Sequence, residues 1–576
     1  MKNLCMFFLM SFLIVNGFSQ NYKPGASRLK WWQDGKMGLF IHWGPVSLIG
    51  KEISWSREQY GKAKYDSLYL RFNPKKFNAK DWVTLAKSSG MKYIVLTAKH
   101  HDGFCLFNTK TTEYNIMQTP FARDVCKELA NAAHEAGMPI CWYFSAGDWK
   151  DPDSRNPKTN DMFADREMEQ LKELLTNYGR IDLLWIDYDG WPSPVNPKRV
   201  HDLARKLQPQ IIINNRLEPF TPDESHSYVG EFADYATPEG FVAGYSAVPW
   251  ETCTNMGHQW AWKFNDQPRS LKESIHTLLR CVGGNGNLLF NIGPDSSGVF
   301  PPDFAARARE MGSWIDVNKE AIYGTRGGAF TPAAEYVCSN KGNKLFIHLL
   351  SNQSEIKLPP LPATIQKATL LNGTPVNFVQ GTKEVVITVP KSSLDSVATV
   401  VVLTLNIPAS TLKPIIPFSI TQSLGYGKKA TASSSVGQFY HDAAAAIDDN
   451  ANTEWKPGRR TEVNFNQYYG KQMHYLAPEV RDLYARNAWL AIDLGKPEIV
   501  GQIKLVESVK NKSEIKQFEV QYQKNGNWLT LVSDTTMANW SKKITPVTAQ
   551  NFRVVLTDFN PYIGIKEFQV FPPGKN

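Results

Sequence analysis

Polar and aromatic side chains collect at the ends of five successive apolar segments in the N-terminal half of the chain. In chain order these ends carry His42, His100, His101, Tyr143, Trp185, Asp187 and Arg216. Imidazole and guanidinium groups form directed hydrogen bonds, and indole rings offer flat apolar faces, so the set suits a ring that bears several hydroxyl groups. Because Asp187 adds a carboxylate held on a strand, the residues predict a site that hydrolyses sugars.

The expected role of Asp187 is that of a nucleophile. A retaining glycosidase uses two carboxyl groups about 5–5.5 Å apart, one as nucleophile and one as general acid and base. Asp189 is the competing candidate, although its Tyr-Asp-Gly setting is typical of a residue that caps a turn.

A metal centre is not expected among these residues. Side chains of the adjacent His100 and His101 would diverge from an extended strand, and no His-x-x-x-His pair accompanies them. We therefore predict catalysis without a metal or other cofactor.

The elements that position these side chains follow the pattern of repeated βα units between residues 27 and 325. Near-continuous apolar segments, typical of strands in a buried parallel sheet, alternate with amphipathic helical segments. The predicted strands are 38–42, 93–97, 139–145, 181–187, 211–214, a weak one near 229–232, another near 248–252, and 288–292. This pattern predicts a (β/α)8-like TIM barrel, whose active site is built at the C-terminal ends of its strands.

Ordered motifs in this region resemble those of a known family. They are Phe40-Ile41-His42-Trp43-Gly44, the segment 99–104, Trp185-Ile186-Asp187, Asn214-Asn215-Arg216 and the segment 287–294. On these motifs, most of residues 27–325 closely resembles the α-L-fucosidases of glycoside hydrolase family twenty-nine. The resemblance implies that Asp187 attacks the anomeric carbon and carries a covalent fucosyl intermediate. It also implies a fucose subsite lined by His42, His100, His101, Tyr143, Trp185 and Arg216.

The acid/base carboxylate is poorly marked by motif. Glu239 in Thr-Pro-Glu and Glu251 in Trp-Glu-Thr compete for the role, and Glu231 is a third candidate. The family pattern and the spacing from Arg216 favour Glu239, whereas Glu251 could instead orient the nucleophile or contact the substrate. The true acid/base should have a raised pKa, so that it is protonated when it meets the leaving oxygen.

One segment departs from the family pattern. Many relatives have adjacent Glu and Trp after the first strand, whereas here Glu52 and Trp55 are separated by two residues. We expect both side chains to reach the substrate. Together with the discoidin-like module described below, the variant resembles the branch of the family that acts on α-1,3 or α-1,4 fucosyl linkages. Two alternatives stay open: an exo-glycosidase for a related galacto-configured sugar, and a non-catalytic glycan-binding protein of the cell envelope.

The remainder of the chain is predicted to be β-rich. A barrel domain over residues 21–327 would be followed by an antiparallel β-sandwich over 328–407 and a linker over 408–418. Residues 419–576 resemble discoidin-like (galactose-binding-like) jelly-roll modules, on an Ala-x-Asp-x-Asn-x-x-Thr-x-Trp motif ending at Trp455 and a Trp-x-x-Ile-Asp-Leu-Gly motif ending at Gly495. The resemblance implies a carbohydrate-binding module and allows for a structural calcium ion in it.

The N-terminal sequence and the composition indicate the location and the kinds of partner to expect for the protein. Lys2, an apolar run over 6–15 and small residues near 17–20 are typical of a signal peptide over residues 1–20, which predicts a secreted or periplasmic protein. No later segment is apolar enough to insert into a membrane. The net charge of +9 is spread along the chain, so we expect no nucleic-acid partner. The family resemblance implies fucosylated oligosaccharides or glycoconjugates as partners. Six cysteines follow the predicted leader, and we expect free buried thiols with room for one disulfide.

Overall fold

The structure is a computed structural model of the protein. It describes residues 27–154, 156, 158–188, 195–216, 229–240, 242, 244–419, 421–435, 443–450, 453–457, 487–508, 513–559 and 564–574. The predicted leader, residues 1–20, and the rival nucleophile Asp189 lie outside the described residues.

A curled parallel sheet forms the core of the N-terminal domain. Its strands are β1 (Met37–Ile41), β2 (Ile94–Lys99), β3 (Ile140–Ser145), β4 (Leu183–Asp187), β5 (Ile212–Ile213), β6 (Glu251–Asn255) and β7 (Asn287–Asn291). They lie in the order β5-β4-β3-β2-β1-β7-β6, and all the described pairs are parallel. Strands β1, β2, β3 and β7 are buried along their whole length, as expected for a sheet covered on both faces.

The predicted sixth strand at 229–232 is wrong. Those residues form no strand, and residues 235–239 instead span the gap between β5 and β6. Three isolated parallel bridges make the connection: Asn214 with Tyr235, Ala236 with Trp250, and Glu239 with Cys253. Pro238 has no N–H to donate, which prevents a continuous ladder here. The bridges complete a (β/α)8-like ring, and the predicted fold class is confirmed.

Helices follow most of the strands and cover the outer face of the sheet. They are α1 (Lys30–Gly35), α2 (Arg57–Tyr60), α3 (Lys62–Asp66), α4 (Ala79–Ser88), α5 (Val125–Glu135), α6 (Asn160–Thr176), α7 (Pro197–Leu207), α8 (Leu271–Gly283) and α9 (Pro302–Asn318). Side-chain caps begin several of them: Asn78 accepts from a backbone N–H of α4, Asp124 does so for α5, and Ser270 with Glu273 forms a capping box on α8. These caps satisfy N–H groups that the first helical turn leaves unpaired.

Two antiparallel sheets follow the barrel. Their strands are β8 (Arg326–Gly327), β9 (Tyr336–Lys341), β10 (Lys344–Leu349), β11 (Glu355–Leu358), β12 (Ile365–Leu370), β13 (Asn377–Gln380), β14 (Val385–Thr388) and β15 (Thr399–Leu405). One sheet has the order β12-β15-β10-β9-β8 and the other β11-β14-β13. Their apolar residues share one core, so the predicted antiparallel sandwich is confirmed as an architecture.

A third antiparallel sheet forms the C-terminal region. It contains β16 (Lys429–Ala432), β17 (Ala488–Glu507), β18 (Ile515–Lys524), β19 (Asn527–Asp534), β20 (Asn539–Phe559) and β21 (Ile565–Phe571), in the order β16-β17-β20-β18-β19 with β21 on β17. Register shifts interrupt the long β17–β20 pairing, and such bulges bend long strands.

The six cysteines after residue 20 are all free and buried, which agrees with the prediction of free thiols. No helix in the described part of the chain is long and apolar enough to cross a membrane.

Candidate active site

The pocket forms where the central strands of the barrel end. Asp187 is the last residue of β4, and its side chain is 14% exposed. The Tyr143 hydroxyl donates to Asp187 Oδ2 at 2.8 Å, and the backbone N–H of Tyr188 donates to Oδ1 at 3.0 Å. His101 Nε2 lies 3.6 Å from Asp187 Oδ2. The carboxylate is therefore held in one orientation on a rigid strand while part of it still faces solvent.

One guanidinium joins two carboxylates. Arg216 donates through Nη1 to Asp187 Oδ1 at 3.3 Å and through Nη2 to Glu239 Oε2 at 2.7 Å. Its Nε donates to Thr237 at 2.9 Å, and its guanidinium carbon lies 4.7 Å from the centre of the Trp185 ring. Burial alone would lower the pKa of Arg216, but the two carboxylates raise it above its ordinary value, so the cation persists. Arg216 thus brings Asp187 and Glu239 to the same pocket.

Glu239 and Glu251 lie at opposite ends of the barrel. Glu239 is 38% exposed and stands in the 235–239 segment beside Arg216, at the end of the sheet where Asp187 lies. Glu251 is the first residue of its strand, whereas Asp187 is the last of its own, so in a parallel sheet Glu251 faces the other end. The third candidate, Glu231, lies exposed in a turn.

Glu251 is a fully buried carboxylate with structural contacts. Its Oε2 accepts from the Trp32 indole at 2.9 Å and from the Tyr93 hydroxyl. Burial raises its pKa to about 7, against the opposing effect of the Tyr93 and Trp32 hydrogen bonds. The Trp185 indole also favours the charged form of Glu251 and so opposes the rise of its pKa, but it makes no hydrogen bond of normal geometry. A raised pKa was expected of the acid/base, but this position argues against Glu251 in that role.

His42 is neutral and carries its proton on Nδ1. Both amide hydrogens of Asn291 are used, on Asn255 Oδ1 at 2.8 Å and on the Trp260 carbonyl at 2.7 Å. Asn291 Oδ1 therefore faces His42 Nδ1, 2.8 Å away, and accepts its proton. Burial lowers the pKa of His42 to about 3, so Nε2 keeps its lone pair and can accept from a sugar hydroxyl.

His100 has the opposite tautomer. Ser54 Oγ accepts the backbone N–H of Asp102 at 2.9 Å and lies 2.6 Å from His100 Nδ1. Within the described residues the Ser54 hydroxyl has no second acceptor, so it donates to Nδ1 and leaves the His100 proton on Nε2. Burial lowers the pKa of His100 well below its ordinary value, and its ring stacks on Tyr143 with centroids 5.3 Å apart. His100 therefore offers a donor.

His101 is fixed in the same way as His42. Ser145 Oγ donates to the Gly147 carbonyl at 2.8 Å, so it accepts from His101 Nδ1 at 2.7 Å. The pocket thus presents acceptor and donor nitrogens of defined position, which suits hydroxyl groups because each can donate and accept.

Glu52 and Trp55 occupy different positions around the pocket. The Glu52 carboxylate accepts backbone N–H groups from Ile53 at 3.0 Å, Trp260 at 2.9 Å and Ala261 at 3.1 Å, and burial raises its pKa against these bonds. These contacts make Glu52 a clamp on the loop that carries Trp260. Trp55 is 52% exposed, and its ring meets that of His101 edge-on at 5.8 Å, at the mouth of the pocket.

Three pocket residues were missed by the sequence analysis. Trp260 stacks obliquely on His42 with centroids 4.8 Å apart, and Trp149 stacks on His101 at 5.4 Å. Both lie in loops, where no periodicity marks them. Asn291 could have been found, because it stands near the end of the predicted strand 288–292. Among the described residues, no group of three or more His, Cys, Asp or Glu side chains is placed to hold a metal ion.

Paired carboxylates at the carboxyl ends of the strands of a (β/α)8-like barrel are the arrangement that glycoside hydrolases use. A family model described as Alpha-L-fucosidase matches residues 17–320, and the chain belongs to that α-L-fucosidase family. Residues 429–568 match the model of the F5/8 type C domain, which identifies the C-terminal region as a discoidin-like domain.

Individual relatives agree with this assignment. An alpha-L-fucosidase of Dictyostelium discoideum is 27% identical over 372 residues, which cover 56% of this chain and 79% of the relative. The solved alpha-L-fucosidase isoenzyme 1 from Paenibacillus thiaminolyticus is 32% identical with a TM-score of 0.60, covering 66% of this chain and 99% of that one. A GH29 alpha-L-fucosidase from Bacteroides thetaiotaomicron, solved as a trapped covalent intermediate with 2-fluoro-fucosyl fluoride, is 26% identical with a TM-score of 0.62, covering 67% and 98%.

Proposed function

We propose that this protein is a retaining exo-α-L-fucosidase that releases terminal L-fucose from fucosylated glycans. The observation that carries the proposal is the contact of Asp187 and Glu239 with the two arms of one guanidinium, at 3.3 and 2.7 Å. Family membership supplies the sugar, because paired carboxylates alone indicate only a glycosidase.

Two displacements at one carbon account for retention. First, an Asp187 oxygen attacks the anomeric carbon as the glycosidic C–O bond breaks, and Glu239 gives its proton to the leaving oxygen. Then Glu239 takes a proton from water, the water oxygen attacks the anomeric carbon, and the bond to Asp187 breaks. The second step restores both carboxyl groups and needs no cofactor.

The rest of the pocket is suited to the sugar ring. His42 accepts and His100 donates, so the two nitrogens fix hydroxyl groups in different orientations. Fucose bears a methyl group where most hexoses bear a hydroxymethyl. The rings of Phe40, Trp185 and Trp260, with Phe40 5.5 Å from Trp185 and 6.0 Å from Trp260, provide an apolar surface for that methyl.

Hydrolysis of an aryl α-L-fucoside by single variants tests these roles. We expect Asp187→Ala to lose about a thousandfold or more in kcat/KM. Glu239→Ala should also be slow, but azide should restore turnover and yield fucosyl azide, because azide attacks the intermediate without a general base. Glu251→Ala is the matched control and should give no fucosyl azide.

The opposite results would overturn the assignment. Fucosyl azide from Glu251→Ala and not from Glu239→Ala would show that Glu251, and not Glu239, is the acid/base. Hydrolysis of an aryl β-galactoside but not of the α-fucoside by the wild type would replace fucose with a galacto-configured substrate.

We also propose export and a preference for α-1,3 or α-1,4 fucosyl linkages. Export rests on the composition of residues 1–20, and the linkage preference on the Glu52 and Trp55 spacing together with the discoidin-like domain. N-terminal sequencing of the mature protein and a panel of linkage-defined fucosyl disaccharides test them. A mature chain that still begins at Met1, or faster cleavage of α-1,2 or α-1,6 linkages, would contradict them.

The structural calcium ion expected in the C-terminal domain rests on the resemblance alone. Asp448 accepts from Thr453 at 2.9 Å, and Asp449 accepts from Ser419 and Thr421 at 2.7 Å, so these carboxylates are engaged within the protein. Among the described residues of this domain, no group of three or more His, Cys, Asp or Glu side chains is placed to hold a metal ion, and the calcium ion stays a prediction.

A further inference from the structure

The loop over residues 256–269 carries aromatic side chains to the mouth of the pocket. Its ends meet, because the Arg269 backbone N–H donates to the Met256 carbonyl at 2.8 Å, which makes it a compact Ω-type loop. His258 and Asp266 tie its middle together through a 2.5 Å contact. The loop is thus held in one shape.

Its apex is anchored to the active site at two points. The Glu52 carboxylate accepts the backbone N–H groups of Trp260 and Ala261, and the Asn291 amide donates to the Trp260 carbonyl. Asn291 is also the residue that orients His42. The residues just after Trp260 therefore have a defined position beside the fucose pocket.

Two of these following residues form an aromatic ledge, which we define as the half-buried Trp262 and the exposed Phe264. Their rings meet at 66° with centroids 4.5 Å apart. Phe264 is 55% exposed and lies so close over Gly50 that a Cβ there would stand 2.3 Å from its ring. Gly50 therefore supports one face of the Phe264 ring, and more than half of that side chain is open to solvent.

Exposed aromatic rings are concentrated around this mouth. The exposed Phe and Trp side chains of the described residues are Trp55, Phe264 and Phe418. Trp55 borders the pocket from the segment that follows β1, and Phe264 does so from the 256–269 loop, which Glu52 of that segment holds. Solvent exposure of large apolar rings is unfavourable unless a partner covers them, so their concentration here indicates a binding surface.

The loop that bears the ledge borders the pocket beside the nucleophile. The ring of Trp260 in this loop lies 4.8 Å from that of His42, the His42 ring lies 5.6 Å from that of Tyr143, and Tyr143 donates to Asp187 at 2.8 Å. A leaving oxygen protonated by Glu239 carries the next sugar of the glycan with it. Because the loop borders the mouth of the pocket, that sugar lies within reach of the ledge.

We infer that the Trp262–Phe264 ledge is a subsite for the sugar that bears the fucose, and that it binds the apolar face of that ring by stacking. This inference rests on the proposed fucosidase function and deepens it, because it names the residues that bind the second sugar and so favour fucosyl oligosaccharides over simple fucosides. A fucoside that lacks a second sugar leaves the ledge uncovered.

A comparison of two substrates tests the subsite. α-L-Fucosyl fluoride has no second sugar, whereas a fucosyl disaccharide does; the disaccharide chosen is the one that wild type hydrolyses fastest among the 1,2-, 1,3-, 1,4- and 1,6-linked forms. We expect Phe264→Ala and Trp262→Ala to lower the ratio of kcat/KM for disaccharide over fluoride about tenfold each. Phe264→Tyr, which keeps the ring, should restore most of the ratio. Phe418→Ala removes an exposed aromatic ring outside the barrel and should not change the ratio.

The outcomes separate the subsite from the activity. An unchanged ratio in both alanine variants would overturn the role of the ledge as a subsite while leaving the fucosidase assignment intact. Equal losses on both substrates would also overturn it, because the ring would then act on the fucose pocket or on folding. A wild type that hydrolyses neither fucosyl fluoride nor any of the disaccharides would overturn the proposed function and the ledge with it.

Discussion

The pocket histidines owe their chemistry to partners on other elements. Asn291 on β7, Ser54 in the loop after β1 and Ser145 on β3 each fix an Nδ1 atom and so decide which nitrogen carries the proton. Two histidines side by side on one strand end would look alike in sequence, yet His100 offers a donor and His101 carries its proton on Nδ1. The identity of these residues is therefore less informative than the hydrogen bonds behind them.

Asn291→Asp tests the assignment of His42. A carboxylate at 2.8 Å from Nδ1 would favour the imidazolium and raise the pKa of His42 from about 3, so that Nε2 gains a proton and can no longer accept. We expect kcat/KM on an aryl fucoside to fall about tenfold at pH 5 and to recover as the pH rises above the new pKa of His42. The ¹⁵N shifts of His42 should report the added proton directly.

A buried asparagine outside the pocket provides the control for this variant. Asn318 donates to the Trp314 carbonyl at 2.9 Å within α9, so Asn318→Asp should cost stability without moving the pH profile. An Asn291→Asp profile parallel to that of wild type would contradict the proposed tautomer of His42.

At the scale of elements, the predictable strands are those whose residues are buried on both faces. Strands β2 and β3 lie within one or two residues of the predicted 93–97 and 139–145. A short continuous apolar run in an α/β protein is typical of a strand that is buried on both faces of a parallel sheet. The segment 235–239 left no such signal, since it joins the ring through isolated bridges and contains Pro238. The choice of the acid/base was uncertain for a similar reason. The predicted strand 248–252 placed Glu251 near a strand end, whereas the observed strand begins at Glu251.

The same rule explains how much of the site was predictable. Asp187, Tyr143 and Arg216 follow directly from the position of polar residues at or after the C-terminal ends of strands. Trp260 and the clamp made by Glu52 depend on contacts between loops about 200 residues apart, which no local pattern records.

Glu251 provides a prediction about the floor of the barrel. It joins β6 to Trp32 of α1 and to Tyr93, the residue before β2. Burial raises its pKa to about 7 from an ordinary 4.5, so the native state binds the proton more tightly than the unfolded chain does. Stability should therefore fall as the pH rises from about 5 to 7, by up to about 3 kcal/mol from this group, and level off above that.

Glu251→Gln stays neutral and should lose this part of the pH dependence. Thermal unfolding between pH 5 and 8 measures it, with the exposed Glu310→Gln as the control that keeps the slope of wild type. Burial also raises the pKa of Glu167 to about 7, despite its ion pair with Lys99, and that group supplies a residual slope. An undiminished slope in Glu251→Gln would contradict the assignment.

At the scale of the whole molecule, the barrel and the sandwich share an element. Helix α8 packs on the barrel, yet His276 bonds the Val397 carbonyl at 2.7 Å and Arg280 bonds the Ala333 carbonyl at 3.1 Å. The sandwich therefore braces the helix that leads into β7, which carries Asn291. The discoidin-like domain has an apolar core of its own. The boundaries at residues 327, 407 and 418 stay predictions.

Covalent labelling of the full chain tests the central claim most directly. In 2-deoxy-2-fluoro-α-L-fucosyl fluoride, the ring fluorine slows both displacements and the fluoride leaving group restores the first, so the glycosyl-enzyme accumulates. We predict a mass increase of one fluorofucosyl group per chain, with fragmentation of the labelled peptide placing it on Asp187. A label on Asp189 or Glu239, or an active protein that acquires no label, would contradict the account.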